Sequence, residues 1–367
     1  MLWIGCWGGS RPKACRELQG RACREQERWR ACRGRKTRKG PWRRWFAVDS
    51  SPVVGTVGLA RTAVSHIGLS VPDLTATVRF YERILGLVVH GELAGGGVRL
   101  GWGTGHHVVD LVEGEKRLRH YGFEVRDAGG VPGIAGRLWS GGYPVEDLDP
   151  AYIDAASGVA HGISTVDPDG TEVHFHGTVL RQGESAADTG YRPVRYQHLT
   201  LGTDDVEAMV AFYVGVIGFR LSDELDDGRF AWLRSDRDHH SLAAVQVGRG
   251  GDIDHYSYDL SEWADFKAWC DRLTEEGVDI TWGPGRHGPG NNLFVFFDDP
   301  AGNHIELSAE MEKFHDDHAA YAPRRWKPNP HTVNLWGGQT PAWRSQMHDQ
   351  PGETAEPDDR RTEQGNA

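Results

Sequence analysis

Cysteine is nearly missing from most of this chain. Five occur in 367 residues, and four of them (Cys6, Cys15, Cys23 and Cys32) lie near the start, leaving only Cys270 beyond. Disulfides therefore do not hold the body together, which fits a reducing, cytoplasmic setting. The four early cysteines are nine, eight and nine residues apart, with no CxxC, and this matches no zinc pattern. Long apolar runs are also lacking. None reaches the ~18 residues that a membrane-spanning helix needs. Positive charge is scarce after residue 50: residues 1–50 carry 14 Lys/Arg against 4 Asp/Glu, leaving 27 against 48 for the rest. A body with a net charge of −21 lacks the clustered cations that phosphate contacts require, so nucleic acid is excluded as the main partner. Glycine, in contrast, is abundant at 48 residues, without a Gly-X-Y period, and marks tight turns between short strands.

Residues 1–62 are rich in Arg, Gly, Trp and Cys and show no hydrophobic period, so they read as a disordered extension or an overcalled start. Two alternatives stay open. Arg43-Arg44-Trp45-Phe46 resembles a twin-arginine export motif, although Asp49 interrupts the short apolar stretch after it. The segment could also be a basic nucleic-acid arm. At the other end, residues 347–367 are polar and acidic and are expected to be disordered.

Between these ends the chain repeats itself. Val64-Ser65-His66-Ile67-Gly68-Leu69 pairs with Tyr196-Gln197-His198-Leu199-Thr200-Leu201, and Phe80-Tyr81 with Phe212-Tyr213. His120-Tyr121 pairs with His255-Tyr256, and Asp167-Pro168-Asp169-Gly170 with Asp299-Pro300-Ala301-Gly302. The offsets are 132, 132, 135 and 132 residues, so one module occurs twice. Each half-module reads as strand, helix, then Gly-punctuated strands. Asp73 can cap a helix whose apolar face is Leu74, Val78, Tyr81 and Leu85, and Gly86 ends it. Further helices are predicted near Val131–Leu138 and Trp263–Glu276. The predicted fold class is α+β: tandem modules at 63–185 and 186–312, each of two βαβββ units forming a partly open barrel. A C-terminal lid segment is expected at 313–346.

In the second module His198 falls on the first strand of one unit, His255 on the first strand of the other, and Glu306 on the last strand. Two neutral imidazoles and a carboxylate on one face of a metal leave its other face open, which suits Fe(II), and Mn(II) accepts the same ligands. A lone strand histidine is more often an ordinary core or surface residue. Three candidate ligands in register with a repeat reverse that preference.

Gly283-Pro284-Gly285-Arg286-His287-Gly288, Asn291 to Phe297, and Asp299-Pro300-Ala301-Gly302-Asn303-His304-Ile305-Glu306 form a continuous block. With it, residues 63 to 345 resemble the vicinal oxygen chelate superfamily, and within it the two-module type I extradiol ring-cleavage dioxygenases, such as the catechol 2,3-dioxygenases and 2,3-dihydroxybiphenyl dioxygenases. The resemblance implies a metal at His198, His255 and Glu306, a distal acid/base histidine at His240, an orienting histidine at His287, and a pocket wall at Trp232. It places Phe296 where the family usually has a Tyr near the substrate, and Phe cannot donate the hydrogen bond that Tyr would. Tyr258, beside His255, is a further pocket candidate. It implies Fe(II) (or Mn(II)) as cofactor, a catechol-type small molecule and O2 as substrates, a role in aromatic catabolism, and a homo-oligomer with no membrane or nucleic-acid partner. The catechol binds through its two adjacent oxygens, and a protonated His240 donates a proton as the O–O bond breaks.

Two rivals remain: another metal-dependent isomerase or transferase on this scaffold, and a non-catalytic binder of aromatic compounds. Phe296 favours either, while the Gly-Arg-His-Gly block and the intact ligand set oppose both. The first module carries His66, His120 and His174 in register with the ligand set, with His106-His107 near the place of His239-His240. They represent a second metal site, a relic, or filling of a polar hollow. Trp326 and Trp336 with Arg324 or Arg325 would suit a lid over an aromatic ring, or plain packing.

Overall fold

The computed structural model describes residues 61–93, 95–102, 107–127, 130–148, 162–178, 192–248, 250–315, 321–337 and 340–341. The basic start with its four cysteines and arginine pair, the acidic end and His106 lie outside the described residues. The first module contains β1 (Thr62–Val71), helix α1 (Leu74–Leu85), β2 (Val88–Glu92), β3 (Val98–Gly101), β4 (His107–Glu113), β5 (Arg117–Val125), α2 (Gly130–Ser140), β6 (Glu146–Asp147), β7 (Gly162–Val166) and β8 (Glu172–His176). The second contains β9 (Arg195–Thr203), α3 (Val206–Val210, widening into π turns over Ala211–Ile217), β10 (Arg220–Leu225), β11 (Phe230–Arg234), β12 (Leu242–Gln246), β13 (Asp252–Asp259), α4 (Trp263–Glu275), β14 (Ile280–Arg286), β15 (Leu293–Asp298) and β16 (His304–Ala309). Then follow β17 (Arg324–Trp326) and a single turn, α5 (Pro330–Val333).

The two sheets are built alike. Their orders are β2-β3-β4-β1-β5-β8-β7-β6 and, read in the opposite sense, β10-β11-β12-β9-β13-β16-β15-β14, with β17 added beyond β10. In each, an antiparallel central pair (β1/β5, β9/β13) is flanked by parallel partners, β4 and β8 or β12 and β16. The central strands are buried on both faces, so their sequences lack strict polar alternation. One face packs on the helices and the other lines the hollow of the barrel. Helix starts follow the capping logic of the sequence: Asp73 accepts from Ala76 N at 2.8 Å and Asp205 from Ala208 N at 2.9 Å.

The modules meet across a pseudo-symmetric seam. Tyr81 of α1 hydrogen-bonds Tyr256 of β13 and donates to Asp299 at 3.0 Å. Tyr213 of α3 meets Tyr121 of β5 at 2.5 Å, and the Tyr121 hydroxyl donates to Asp167 at 2.7 Å. All six are repeat equivalents, and all are buried. A single apolar cluster with Phe123, Phe175, Phe212 and Phe219 at its middle runs through both modules. No helix among the described residues is long and apolar enough to cross a membrane.

Candidate metal centre

Three adjacent strands of the second module deliver three side chains to one point. On the middle strand, β13, Ser257 pairs with His198 of β9 on one side and Glu306 of β16 on the other, and His255 stands two residues before it. Period-two alternation therefore turns all three side chains to the same face. His198 Nε2 lies 3.3 Å from His255 Nε2 and 3.0 Å from Glu306 Oε2, and His255 Nε2 lies 3.2 Å from that same oxygen. All three residues are buried.

That triangle fits an ion. Bonds of ~2.1 Å separate neighbouring ligand atoms by ~3.0 Å when they meet at right angles and by ~3.4 Å in a tetrahedron. The sides observed, 3.0, 3.2 and 3.3 Å, fall within that range, and three ligands gathered on one side leave the rest of the coordination sphere free. Glu306 Oε2, although buried, takes no well-directed hydrogen bond among the described residues. A buried carboxylate oxygen of that kind calls for a cation.

Outer partners orient the ligands. His198 Nδ1 is 3.1 Å from Gln197 Oε1 and His255 Nδ1 is 2.5 Å from Asp254 Oδ1, so each ring donates outward and keeps an Nε2 lone pair for the centre. Asn292 Nδ2 donates to Glu306 Oε1 at 3.2 Å and to Ser308 Oγ at 2.9 Å. His287 places Nε2 3.6 Å from Glu306 Oε1 and donates from Nδ1 to Val333 O at 2.6 Å. Burial disfavours the charge of His198 and pushes its pKa down, which keeps the imidazole neutral and able to ligate. Burial works against Glu306 too, but the neighbouring His198, His255 and His287 hold its carboxyl well below the usual range.

His240 precedes β12 and its ring centre is 4.4 Å from that of His198. Burial holds it well below the usual histidine range, which favours the neutral imidazole in the free site. Behind it stands a relay. His240 Nδ1 meets His239 Nδ1 at 3.0 Å, and His239 Nε2 lies 3.0 Å from Oδ2 of the fully buried Asp223. A carboxylate can only accept, so a hydrogen on His239 Nε2 would face Asp223, although the two groups are not well aligned. In that tautomer His239 Nδ1 accepts from His240 Nδ1, which leaves His240 Nε2 bare. Asp223 is itself fixed by Arg324 Nε at 2.9 Å and Trp326 Nε1 at 2.8 Å.

These groups open into a cavity of about 390 Å³, mouth included, walled by Phe230, Trp232, Trp282, Pro289 and Val333, with His240 and His287 at its side. Trp232 is part of that wall, and Tyr258 and Phe296 are not among the lining residues. Tyr258 is three residues along β13 from His255, an odd number, so it faces the opposite side and packs on Trp102 and Tyr196 in the core. Phe296 is paired with Glu306 and shares its face, but it is sealed behind the cavity, its ring 5.2 Å from His255 and 5.3 Å from Trp282. The C-terminal tryptophans also divide. Trp326 packs behind Phe230 and Trp232, while Trp336 is half exposed against Trp263, and neither is among the residues lining the cavity. In the first module His66, His120 and His174 also come together.

The sequence profile of the Glyoxalase/Bleomycin resistance protein/Dioxygenase superfamily matches the chain twice, over residues 63–175 and 195–307. The chain belongs to this superfamily. Its members similar to the chain include metapyrocatechase 2 of Cupriavidus necator, 28% identical over 68% of this chain and 81% of the relative. The iron-dependent extradiol dioxygenase of Rhodococcus jostii (strain RHA1) is 28% identical over 58% of this chain and 72% of its own. Among superfamily structures, the Mn(II)-bound glyoxalase from Novosphingobium aromaticivorans superposes with a TM-score of 0.66 at 27% identity, covering 81% of this chain and 96% of that one.

Gln197, Asp254, Asn292 and Asp223 escaped the sequence analysis. The first two had a signal, since each is a polar acceptor directly before a ligand histidine. Asp223 had none, because its contacts are made to residues up to 103 positions away.

Proposed function

We propose that the chain is an extradiol dioxygenase that opens a catechol-type ring with O2 at an ion held by His198, His255 and Glu306. The observation that carries this is the three-atom triangle beneath an aromatic-walled cavity with a neutral, relay-oriented histidine beside it. When bound there, Fe(II), or Mn(II) in its place, would supply open positions for two substrate oxygens and for O2, and a path for electrons between ring and O2. The residues do the rest. Phe230, Trp232 and Trp282 hold the ring by its faces and edges. His240 Nε2, bare and uncharged, accepts a proton from a substrate hydroxyl and later returns it to oxygen. That order supplies the protonated His240 that O–O cleavage needs. His287, tied to Val333 O, keeps Glu306 in place. The C–C bond beside the two hydroxyls breaks, and both atoms of O2 enter a semialdehyde acid. Among the described residues that line the cavity there is no Lys or Arg, which favours catechols without an anionic side chain. The same proposal places the enzyme in the cytoplasm as a homo-oligomer.

The test is anaerobic loading with Fe(II) or Mn(II), then a panel of catechols with O2. O2 uptake matched by a yellow ring-fission product supports the proposal. Tight metal binding without uptake across the panel would point instead to isomerase or transferase chemistry.

Asp223→Asn is expected to lower kcat by about 10-fold while leaving metal content unchanged. Removing the charge frees the His239 tautomer, and outer-shell partners of this kind contribute on the order of 10–100-fold. Its pH profile distinguishes orientation from mere packing: the limb assigned to His240 shifts in Asp223→Asn, whereas a packing defect lowers the whole profile evenly.

A further inference from the structure

We propose that His66, His120 and His174 form a second metal site, inside the first module, for a divalent ion of the zinc type. The register of the sheet argues for it first. Gly122 of β5 is the cross-strand neighbour of His66 on one side and His174 on the other, as Ser257 is of His198 and Glu306. His120 pairs with Gly68 as His255 pairs with Thr200. The three first-module histidines therefore stand in the three ligand places of the second module, strand for strand.

Space has been cleared for these rings. A Cβ on Gly122 would lie 2.1 Å from His66 Cε1, and one on Gly68 would lie 2.1 Å from His120 Cε1. The second module carries Ser257 and Thr200 at those two points. At one of the three rings the orientation repeats as well. His66 Nδ1 is 2.7 Å from Oγ of Ser65, the preceding residue, as His198 Nδ1 is held by Gln197. His66 Nε2 is thereby turned inward, 2.9 Å from His174 Nδ1, while Asp110 Oδ2 lies 3.2 Å from His120 Nε2. One ligand atom from each of the three falls within 4.8 Å of the others, and all three residues are buried.

The donor set selects the ion. Glu306 is replaced by His174, so the three register places all carry imidazoles, with the buried Asp110 carboxylate beside His120 and His107. Such a set favours Zn(II), and Co(II) as its spectroscopic substitute, over the Fe(II) or Mn(II) suited to two histidines and a carboxylate. His107, with its ring centre 4.7 Å from that of His66, is a further nitrogen donor beside the three. The site does not depend on the ring-cleaving activity.

The test is metal stoichiometry on the full chain, stripped with chelator, reloaded with Zn(II) or Co(II), and dialysed. The intact chain is expected to retain two equivalents, and His66→Asn or His174→Gln one. Glu306→Ala is expected to lose the second-module ion and still retain one equivalent, with Co(II) giving visible absorption of tetrahedral intensity. No ion retained by Glu306→Ala with its circular dichroism unchanged overturns the proposal. Should Glu306→Ala fail to fold, the comparison of the intact chain with His66→Asn decides: equal stoichiometry overturns it.

Discussion

Glu306→Ala is expected to abolish detectable ring opening, with turnover falling by about 1,000-fold or more, a loss on the order of 4 kcal/mol of transition-state stabilisation. The reason lies in the triangle of ligand atoms. Oε2 of Glu306 is the vertex nearest both imidazoles, at 3.0 and 3.2 Å, and it is the only anion of the three. Its removal takes the charge that neutralises a divalent ion and leaves two neutral nitrogens. Folding should survive. The neighbouring histidines hold the buried Glu306 carboxyl well below its usual range, so its charge contributes to the stability of the ion-free fold at neutral pH. The melting temperature of metal-free Glu306→Ala is therefore expected to lie below that of the metal-free parent. Fe(II) should raise the melting temperature of the parent and leave that of the variant unchanged. A variant that keeps a tenth of parental O2 uptake would remove Glu306 from the ligand set.

His240→Asn should separate chemistry from metal binding. General acid–base groups contribute typically ~10²–10⁴-fold, so kcat is expected to fall by about that factor while Fe(II) content stays that of the parent. Asn fills much of the space of the ring but cannot take up a proton. Its effect on the pH profile follows from the burial that holds His240 neutral. The parent's rate should fall as the pH drops far enough to protonate the free-site imidazole, and the variant should lack that limb. Substrate affinity measured without O2 should change little. A variant with full kcat, or one that has lost its metal, would show that His240 acts as a structural neighbour of His198.

The sequence reached far in some directions and stopped short in others, for physical reasons. A repeat of strand-borne motifs carries three-dimensional information, because equivalent strands take equivalent places in the two sheets. The repeat itself thus groups His198, His255 and Glu306, and the helix cap at Asp73 is a local feature legible in the residues around it. Tyr258 was misjudged because nearness along a strand says nothing of face, and three residues is an odd step. Phe296 lies on the right face but one layer too deep, a matter of packing depth that no alternation encodes. The relay from Asp223 to His240 depends on β10, the loop before β12 and β17, three segments joined only by folding. Trp326 and Trp336 look alike in sequence, yet one is packed behind the cavity wall and the other is turned to solvent.

β17 has an effect beyond its hold on Asp223. It pairs in parallel with Asp223, Glu224 and Leu225, the outermost strand of the second sheet on that side. An outermost strand left bare presents unpaired amides and carbonyls that recruit other chains. Here that row is capped by a strand only three residues long, two of them arginines, which is too short and too charged to serve as a template itself. The C-terminal segment therefore also acts as a guard against self-templated growth along this border of the molecule.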